Sequence, residues 1–478
     1  MPAMPSTLMS SDRASLLQAL RDRLDPAGLQ AGADIEMRFR KDWYAPLDPQ
    51  PPLAVARPRD TGEVAAVLAA CHRYGQPVVP QGGLTGLAAG ATPRGGELVL
   101  SLERLRGVEA IDPQAGTMTV RAGTTLQAAQ EAAREAGWLL ALDLGARGSC
   151  QIGGNLATNA GGNRVIRYGM AREQVLGLEA VLADGTVLSA LNKMQKNNAG
   201  YDLRQLFVGS EGTLGVITRA VLRLAPLPAC TQTALCALAR YEDVVALLRL
   251  AQRRLSGRLS AFEVMWADYY GIVTGRVPGM RAPLPAGHPF YVLLDLQGDD
   301  AAQDGAAFEA LLEAALEAGL IADAALATSQ KEADALWALR DAVAEFPQRW
   351  APNAAFDVSL PIGSIGTFAD SLRARVLAAW PQAELVNFGH VGDSNLHVSV
   401  HLPGATAASF PEAEIEALVY GVVGEFAGSI SAEHGIGLHK KPYLHHSRTP
   451  AELALMRTLK QALDPRGILN PGRVFDAG

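Results

Sequence analysis

The chain has 478 residues, too many for one hydrophobic core, and this length predicts two or three domains. Hydrophobic residues make up 49% and charged residues 19%, as in an ordinary soluble globular protein. The formal net charge of −7 argues against a nucleic-acid partner or an anionic membrane surface.

The targeting signals and the cysteine content indicate the cellular compartment that we expect for this protein. No apolar run approaches the length of a membrane span, so no transmembrane helix is predicted, and the first ten residues lack the apolar core of a secretory signal. Cys71, Cys150, Cys230 and Cys236 have no metal-type spacing and are too few for a disulfide framework. We therefore expect buried free thiols and a cytoplasmic protein.

The first half of the chain begins with an amphipathic helix, predicted over residues 10–24. From about residue 52 to 224 the sequence is strand-rich and interrupted by many glycines. Helices are predicted here at 61–74 and 125–136, and strands at 77–80, 96–100, 117–121 and 178–182.

The composition changes at 224–228 (Leu-Ala-Pro-Leu-Pro), which predicts a domain boundary. Beyond it, helices and strands alternate as in an α+β layer, with helices on one face of an antiparallel sheet. Helices are predicted at 241–255, 306–320, 331–345, 365–379 and 451–463, and strands at 258–265 and 290–296. The expected parts are an N-terminal helical segment (1–47), a cofactor domain (48–225), a substrate domain (226–425) and a C-terminal segment (426–478).

Many of the 48 glycines fall into three clusters, at 80–87, 144–162 and 209–218. Consecutive glycines let backbone N–H groups point into one concavity, which is how proteins bind a diphosphate. A single cluster is most often a tight turn, and neither a dinucleotide fingerprint nor a P-loop motif is present. Three clusters together favour a cofactor site, because glycine in regular structure costs stability.

Two segments contain candidate metal ligands, in a chain with only nine histidines. Residues 388–398 read Phe-Gly-His-Val-Gly-Asp-Ser-Asn-Leu-His-Val, and residues 431–437 read Ser-Ala-Glu-His-Gly-Ile-Gly. Short strands on either side of a turn at 391–395 would bring His390 and His397 close together.

Two imidazoles and the carboxylate of Glu433 suit a divalent metal with an open coordination position. His434 is then left to move protons. Surface histidines in loops are the alternative for a single pair, but the adjacent Glu433–His434 favours the metal site. His401, on the same predicted strand face as His397, is a rival third ligand.

The chain resembles the vanillyl-alcohol oxidase/p-cresol methylhydroxylase flavoprotein superfamily, in its FAD-linked D-2-hydroxy-acid dehydrogenase branch. Within that branch it most resembles the D-2-hydroxyglutarate dehydrogenases, with D-lactate dehydrogenases and the flavin subunit of glycolate oxidase as more distant matches. The matching segments follow in order over nearly the whole chain: 80–90, 142–162, 177–186, 196–206, 209–218, 389–398, 431–437 and 467–472.

The resemblance implies a two-part FAD-binding domain of the p-cresol methylhydroxylase type, an antiparallel-sheet substrate (cap) domain and a C-terminal helical segment. It also implies FAD with its diphosphate on residues 81–86. Relatives with covalent FAD need a histidine in the first domain, and 80–90 and 142–162 contain none, so a noncovalent flavin is expected. The residues assigned to FAD are Pro80, Gln81, Gly82, Gly83, Leu84, Thr85, Gly86, Leu87, Leu144, Gly145, Ser149, Gly153, Gly154, Thr158, Asn159, Gly161, Gly162, Glu211, Gly212, Gly215, Ile217 and Asn470.

The implied chemistry is oxidation of an α-hydroxy acid, in which the hydroxyl loses a proton as Cα gives a hydride to flavin N5. A metal, expected to be zinc, on His390, His397 and Glu433 would bind the hydroxyl and the carboxylate together. The equivalents of these residues have these roles in related dehydrogenases, where His434 matches the base. Arg340 matches a substrate-binding arginine; the alternative is an exposed helix arginine.

The substrate-binding positions depart from the 2-hydroxyglutarate pattern. Ala344 and Ala355 stand where such relatives have threonine and lysine, and Ser399 replaces an asparagine, while Asn470 completes the predicted set. Each charge-assisted hydrogen bond lost is worth about 1.5–3 kcal/mol. A less polar D-2-hydroxy acid is therefore as well supported as 2-hydroxyglutarate.

The sequence is consistent with four functions. They are D-2-hydroxyglutarate dehydrogenase, D-lactate dehydrogenase, an oxidase that passes electrons to O₂, and a nonenzymatic flavin or metal-binding subunit. His434 and Arg340 argue against the last, because a scaffold needs neither. The family implies electron-transfer flavoprotein or a quinone as electron acceptor, and a possible homodimer.

Overall fold

The computed structural model describes residues 10–44, 49–346 and 350–476, and it divides into two compact units. The first unit comprises Met1–Gly161, Met170–Leu227 and Glu433–Gly478, and the second comprises Gly162–Gly169 and Pro228–Ala432. No helix of the described part of the chain is long and apolar enough to cross a membrane.

Two sheets and a short strand pair form the first unit. Its strands are β1 (Leu29–Ala31), β2 (Ala54–Ala56), β3 (Val78–Gln81), β4 (Leu98–Ser101), β5 (Val108–Asp112), β6 (Thr117–Arg121), β7 (Trp138–Leu139), β8 (Val175–Val181), β9 (Val187–Ala190), β10 (Val216–Arg223) and β11 (Ala225–Pro226). The order β1-β2-β4-β3 gives a mixed sheet, with β2, β4 and β3 parallel. The order β5-β6-β10-β8-β9 gives an antiparallel sheet, and β7 pairs with β11.

The helices of this unit follow local capping signals. The helix Thr61–Tyr74 begins at Asp60, whose side chain accepts the backbone N–H of Glu63, and ends at Gly75 in the left-handed region (φ 66°). Its apolar face joins a core that is shared by both sheets and the C-terminal segment. The α-helices are Ser10–Arg21, Thr61–Tyr74, Leu126–Glu135, Ile152–Ala157, Ala171–Gln174, Arg204–Phe207 and Pro450–Leu463.

Two buried cations anchor the C-terminal segment to the rest of the first unit, since Nζ of Lys460 donates to the carbonyl of Thr213 at 2.8 Å and Arg473 pairs with Glu97. Lys460 Nζ lies 2.6 Å from the carboxylate of Asp464, and Nη1 of the fully buried Arg473 lies 2.6 Å from that of Glu97. Between these two pairs, Asn470 adopts φ 42°. This anchoring fixes the position of the Asn470 side chain.

The second unit is built on one antiparallel sheet of order β15-β12-β14-β13-β17-β18-β16. These strands are β12 (Cys230–Leu238), β13 (Leu259–Trp266), β14 (Phe290–Gly298), β15 (Asp323–Leu326), β16 (Asn353–Ser359), β17 (Glu384–Gly389) and β18 (Asn395–His401). The α-helices are Val165–Tyr168, Tyr241–Leu255, Ala267–Arg276, Ala301–Glu317, Gln330–Asp341, Ile365–Ala379 and Glu412–Glu425.

Helices cover both faces of this sheet, whereas the sequence predicted helices on one face. Phe388 packs against Tyr269 of the helix Ala267–Arg276, with ring centroids 4.6 Å apart. Phe356 points to the opposite face and packs against Tyr420, with centroids 5.3 Å apart. A central strand such as β13 is buried along its whole length, as a sheet covered on both faces requires.

The short stretch Gly162–Gly169 packs with the second unit, although the sequence placed it in the cofactor domain. Arg164 Nη1 donates to the fully buried carboxylate of Asp295 over 2.7 Å, and the Arg164 guanidinium lies 5.1 Å from the ring centroid of Trp337. This ion pair across a long sequence separation explains the assignment, which no local pattern indicates.

Candidate functional site

The three glycine-rich segments meet around one cavity of about 360 Å³ in the first unit. The loop after β3, the helix Ile152–Ala157 and the turn before β10 form its walls. The loop and the turn adjoin β3 and β10, and the N–H of Gly153 in the helix donates to the carbonyl of Ala122, just after β6, at 2.8 Å. The two sheets therefore hold all three glycine segments in place.

The predicted cofactor residues line this cavity with three exceptions. The backbone carbonyl of Ser149 packs against Gly83, and Oδ1 of Asn159 accepts the backbone N–H of Arg172. Gly162 belongs to the second unit. The lining residues from the prediction are Pro80, Gln81, Gly82, Gly83, Leu84, Thr85, Gly86, Leu87, Leu144, Gly145, Gly153, Gly154, Thr158, Gly161, Glu211, Gly212, Gly215, Ile217 and Asn470.

Two glycines show why the cavity needs residues without side chains. A Cβ on Gly83 would lie 1.9 Å from the carbonyl oxygen of Ser149, so only glycine allows these backbones to approach each other. A Cβ on Gly154 would meet nothing within 4 Å. Glycine at 154 therefore leaves cavity space that a side chain would fill.

Polar atoms without a protein partner lie in the cavity wall. Among the described residues, Oε1 of Gln81, Oε1 of Gln151 and Oδ1 of Asn470 are buried without a hydrogen bond. A buried polar group left unpaired costs about 1–3 kcal/mol, so these atoms favour a ligand with hydrogen-bond donors. The glycine cradle and these amide oxygens fit a flavin nucleotide.

Asp42 and Gln151 also line the cavity, and the sequence analysis missed both. Asp42 accepts the Thr92 hydroxyl at 3.0 Å and the Ala91 backbone N–H at 3.3 Å, and burial raises the pKa of its carboxyl to about 6. Asp42 lies outside the three glycine clusters, and Gln151 lies within the cluster 144–162, where the glycines and not the amide side chain gave the signal.

Glu433 and His434 lie in the wall of this cavity as well. They precede Gly435 and Gly437, which both have positive φ angles (78° and 53°). The glycines turn the chain so that this Glu-His pair reaches the space lined by the predicted cofactor residues.

In the second unit, the predicted hairpin forms between β17 and β18, with a single helical turn at Val391–Asp393. It brings the rings of His390 and His397 to a centroid distance of 5.4 Å at an interplanar angle of 80°. Two nearly perpendicular imidazoles at this distance can both direct a nitrogen toward one cation.

A buried carboxylate that the sequence analysis missed orients His390. Oε1 of Glu263 lies 2.5 Å from Nδ1 of His390, and Oε2 accepts Nε–H of Arg340 at 2.7 Å. Burial alone would raise the pKa of Glu263, but the nearby His390 and Arg340 lower it to about 2. The only sequence signal was a lone carboxylate in the apolar strand Leu-Ser-Ala-Phe-Glu-Val-Met-Trp.

Asp357 is a second buried carboxylate and lies beside His397 at ion-pair distance. It stands directly opposite His397 in the β16–β18 pair, with Oδ1 3.9 Å from Nδ1 of that histidine. Asp357 is fully buried and also accepts Nδ2–H of Asn395 at 2.8 Å. It too was visible only as a single acidic residue in an apolar strand.

Arg340 is buried, so the alternative of an exposed helix arginine is wrong. Its guanidinium lies 4.9 Å from the ring centroid of Phe388, and Nη2 lies 3.3 Å from Nε2 of His390. The side chain predicted to bind substrate is thus placed beside a predicted metal ligand.

The remaining predicted substrate positions lie on or near β16 and β18. Ala355 pairs with the buried Ser399, whereas Ala344 lies in the turn after the helix Gln330–Asp341, and both alanines are exposed. His401 is engaged elsewhere, since its Nδ1 lies 2.8 Å from the carbonyl oxygen of Pro352 and its ring packs on Trp350 at 5.3 Å.

Comparisons with known proteins identify both parts of the chain. A family described as "FAD binding domain" matches residues 52–190, and one described as "FAD linked oxidases, C-terminal domain" matches residues 227–474. A D-2-hydroxyglutarate dehydrogenase from Xanthomonas citri pv. viticola is 42% identical over 96% of this chain and 95% of its own. The mitochondrial D-2-hydroxyglutarate dehydrogenase of Bos taurus is 42% identical over 88% of this chain and 76% of its own. The solved structure of p-cresol methylhydroxylase with substrate bound has a TM-score of 0.79 at 17% identity and covers 99% of each chain.

Replacing Glu263 with glutamine should lower the free energy of unfolding by about 3 kcal/mol at neutral pH, because the buried Arg340 loses its carboxylate. The folded pKa of about 2 lies below the ordinary value of 4.5, so this stabilisation is present above pH 4.5 and is lost as the pH falls toward 2. Denaturant unfolding at neutral and acidic pH measures the difference. Glu384→Gln, at a partly exposed carboxylate, is the control and should cost less than about 1 kcal/mol. A Glu263→Gln effect that does not change with pH would contradict this account.

Proposed function

This chain belongs to the family of FAD-linked oxidases and is an FAD-dependent oxidoreductase acting on a CH–OH group, and we propose that its substrate is a D-2-hydroxy acid, oxidised to the 2-oxo acid. One observation carries this proposal. The cavity that fits a flavin also has Glu433 and His434 in its wall, so a proton acceptor lies beside the cofactor space.

The glycine segments of the first unit would hold FAD. Residues 81–86 offer backbone N–H groups for the diphosphate, and the segment around Gly153, Gly154 and Gly161 leaves room for the flat ring. When bound, FAD accepts the hydride of the substrate Cα at N5. The unpaired amide oxygens of Gln151 and Asn470 would accept hydrogen bonds from its polar edges.

We propose that His390, His397 and Glu433 bind a divalent metal, with zinc as the expected ion. Nη2 of Arg340 lies 3.3 Å from Nε2 of His390, in a contact that a bound metal would replace. Glu263 supports the metal site, because its Oε1 lies 2.5 Å from Nδ1 of His390 and can accept the ring proton there. Nε2 therefore carries the lone pair that a metal ligand needs. A bound metal would lower the pKa of the substrate hydroxyl and orient the α-carboxylate.

His434 is the proposed base, and Arg340 the proposed partner of the substrate carboxylate. The hydroxyl proton passes to the imidazole of His434 as the Cα–H bond breaks. Arg340 keeps its charge in the buried site because Glu263 compensates it. Two of its nitrogens face Glu263 and His390, which fixes the direction of the guanidinium plane.

The substrate tail should be apolar. Aromatic residues lie close to Ala344, Ala355 and Ser399 in the sequence: Phe346 packs against Trp350 with centroids 5.5 Å apart, and Trp350 packs on His401. Neither Ala344 nor Ala355 offers a cation or a hydroxyl to a second carboxylate. D-2-Hydroxyglutarate is the second candidate, because the relatives at 42% identity carry that name. Arg349, a possible second cation, lies outside the described residues, and Lys440 is buried in the first unit.

Electron-transfer flavoprotein or a quinone is the proposed electron acceptor, and a homodimer is the proposed assembly. Both follow from the family. An oxidase would differ only in flavin access to O₂, and peroxide production during turnover would reveal it.

The purified protein should contain noncovalent FAD. Acid precipitation should release all of the flavin into the supernatant, because the cavity segments that cradle the cofactor contain no histidine in 80–90 or 142–162. Absorbance of supernatant and pellet measures the distribution. Colour that stays in the pellet would refute noncovalent attachment, and a colourless protein would refute the flavin itself.

His397→Ala should lose the metal and turnover while keeping FAD, because one of two protein imidazoles is removed. Elemental analysis and the flavin spectrum measure the two occupancies. His401→Ala is the matched control on the same strand and should keep the metal, since His401 bonds to Pro352. Chelation of the wild-type enzyme should have the effect of His397→Ala. Full activity in a metal-free preparation would exclude the metal.

His434→Ala should lower kcat by about 10²–10⁴-fold, the usual range for a positioned base, with FAD and metal retained. Steady-state kinetics with a D-2-hydroxy acid and a dye acceptor measure this loss. His445→Ala, at an exposed histidine of the same unit, should leave kcat unchanged. A change confined to KM would show that His434 only binds substrate.

Wild-type enzyme should prefer monocarboxylic D-2-hydroxy acids with an aliphatic or aromatic tail over dicarboxylates. The double variant Ala344→Thr/Ala355→Lys should shift kcat/KM toward D-2-hydroxyglutarate, because it supplies a hydroxyl and a cation. Ala355→Met adds length without charge and is the control. A wild-type preference for D-2-hydroxyglutarate of about tenfold or more over D-lactate and longer monocarboxylates would contradict the apolar pocket.

A further inference from the structure

We propose that Glu211 is a positioning residue that holds the segment 433–437, and with it His434, against the cofactor cavity. The inference rests on the proposed role of His434 as the base. Sequence resemblance assigned Glu211 to FAD, and its residue does line the cavity. Its carboxylate, however, points to the backbone of this same unit.

Both oxygens of Glu211 are used by consecutive backbone groups. Oε1 accepts the N–H of Ile436 at 2.7 Å, and Oε2 accepts the N–H of Gly437 at 2.8 Å. A carboxylate that accepts two adjacent N–H groups fixes both the position and the direction of the chain. Ile436 follows His434 by only two residues, so the fixed backbone determines where the imidazole lies.

The backbone of Glu211 ties two further cavity segments to the same point. Its N–H donates to the carbonyl of Ala157 at 2.8 Å, and its carbonyl accepts Nδ2–H of Asn470 at 2.8 Å. Glu211 adopts φ 52°, a left-handed conformation that a residue with a Cβ keeps only where surrounding contacts hold it. Three segments of the cavity wall thus converge on this residue.

The glycines of the segment 433–437 are required by this arrangement. A Cβ on Gly435 would lie 2.9 Å from the carboxylate carbon of Glu211, and a Cβ on Gly437 would lie 1.9 Å from the carbonyl oxygen of Ala88. That Ala88 carbonyl also accepts the N–H of Leu438 at 3.0 Å. The segment is therefore held from two sides, by Glu211 and by the loop after β3.

The position of the catalytic base affects the reaction rate, so a residue that fixes this position matters. A misplacement of about 1 Å can cost about 10²-fold in rate, even when it arises from a residue that does not touch the substrate. A flavin ligand would have at least one carboxylate oxygen directed to the cofactor. In Glu211 both oxygens are committed to Ile436 and Gly437, which favours positioning over cofactor binding.

A double-mutant cycle with Glu211→Gln and His434→Ala in the full-length holoenzyme tests this inference. Glutamine keeps the shape but turns an amide N–H₂ toward one of the two backbone donors. Glu211→Gln should keep the wild-type flavin content, speed amide hydrogen exchange at residues 436–437, and lower kcat by about 10–100-fold. The double variant should be no slower than His434→Ala alone, because both changes act through the same imidazole.

Glu179→Gln is the matched control. Glu179 is also buried, and it accepts two hydrogen bonds, from the hydroxyls of Thr61 and Thr218. It lies on β8 outside the cavity wall, so Glu179→Gln should change neither kcat nor exchange at 436–437. Glu211→Asp, whose carboxylate is one methylene shorter, is the second variant should Glu211→Gln fail to fold. Glu211→Asp should have a lower kcat than the wild-type enzyme, and an unchanged kcat in this variant would overturn the inference.

The outcomes separate this inference from the proposed function. If His434→Ala shows its expected loss of kcat and the double variant loses the product of the two single losses, the positioning role of Glu211 is refuted. The proposed base is not refuted by that result. Flavin lost from Glu211→Gln and activity restored by added FAD would make Glu211 a cofactor ligand and refute its positioning role too. An unchanged kcat in His434→Ala would instead refute the proposed base.

Discussion

The carboxylate of Glu263 is the contact on which the predicted metal and substrate residues of the second unit depend. It lies on the central strand β13 and joins Arg340 from the helix Gln330–Asp341 to His390 from the β17–β18 hairpin. Without it, a buried cation and a buried imidazole would face each other uncompensated. The same contact compensates the charge of Arg340 and restrains the direction of both side chains.

A carboxylate has a comparable place in the first unit, but it acts on backbone instead of side chains. Glu211 receives two N–H groups from the segment that contains His434, as Glu263 receives the side chains of Arg340 and His390. In both units an acidic residue that need not touch substrate fixes residues that are proposed to do so. Buried carboxylates can have this role because an acceptor with two oxygens restrains two donors at once.

Features that are determined by residues close together in the sequence were predictable. The His390–His397 hairpin and the membership and fold of the flavoprotein family are confirmed, and the three glycine segments line one cavity, whereas their contact with FAD stays a prediction. Features that depend on contacts between residues far apart in the sequence were not predictable. The helices on the second face of the sheet were missed for this reason. The acidic residues beside the two histidines gave only a weak signal, because a single Asp or Glu in an apolar strand does not reveal its partner. The missed residues are Asp42, Gln151, Glu263 and Asp357.

The first unit is completed by residues that follow the second unit in the sequence. Asn470, held between the pairs Lys460–Asp464 and Arg473–Glu97, is part of the cavity wall, and so are Glu433 and His434. A ribosome must therefore translate the whole second unit before the cofactor cavity can close. The parts of the cavity wall that Glu433, His434 and Asn470 contribute are therefore missing from any chain that stops within the second unit.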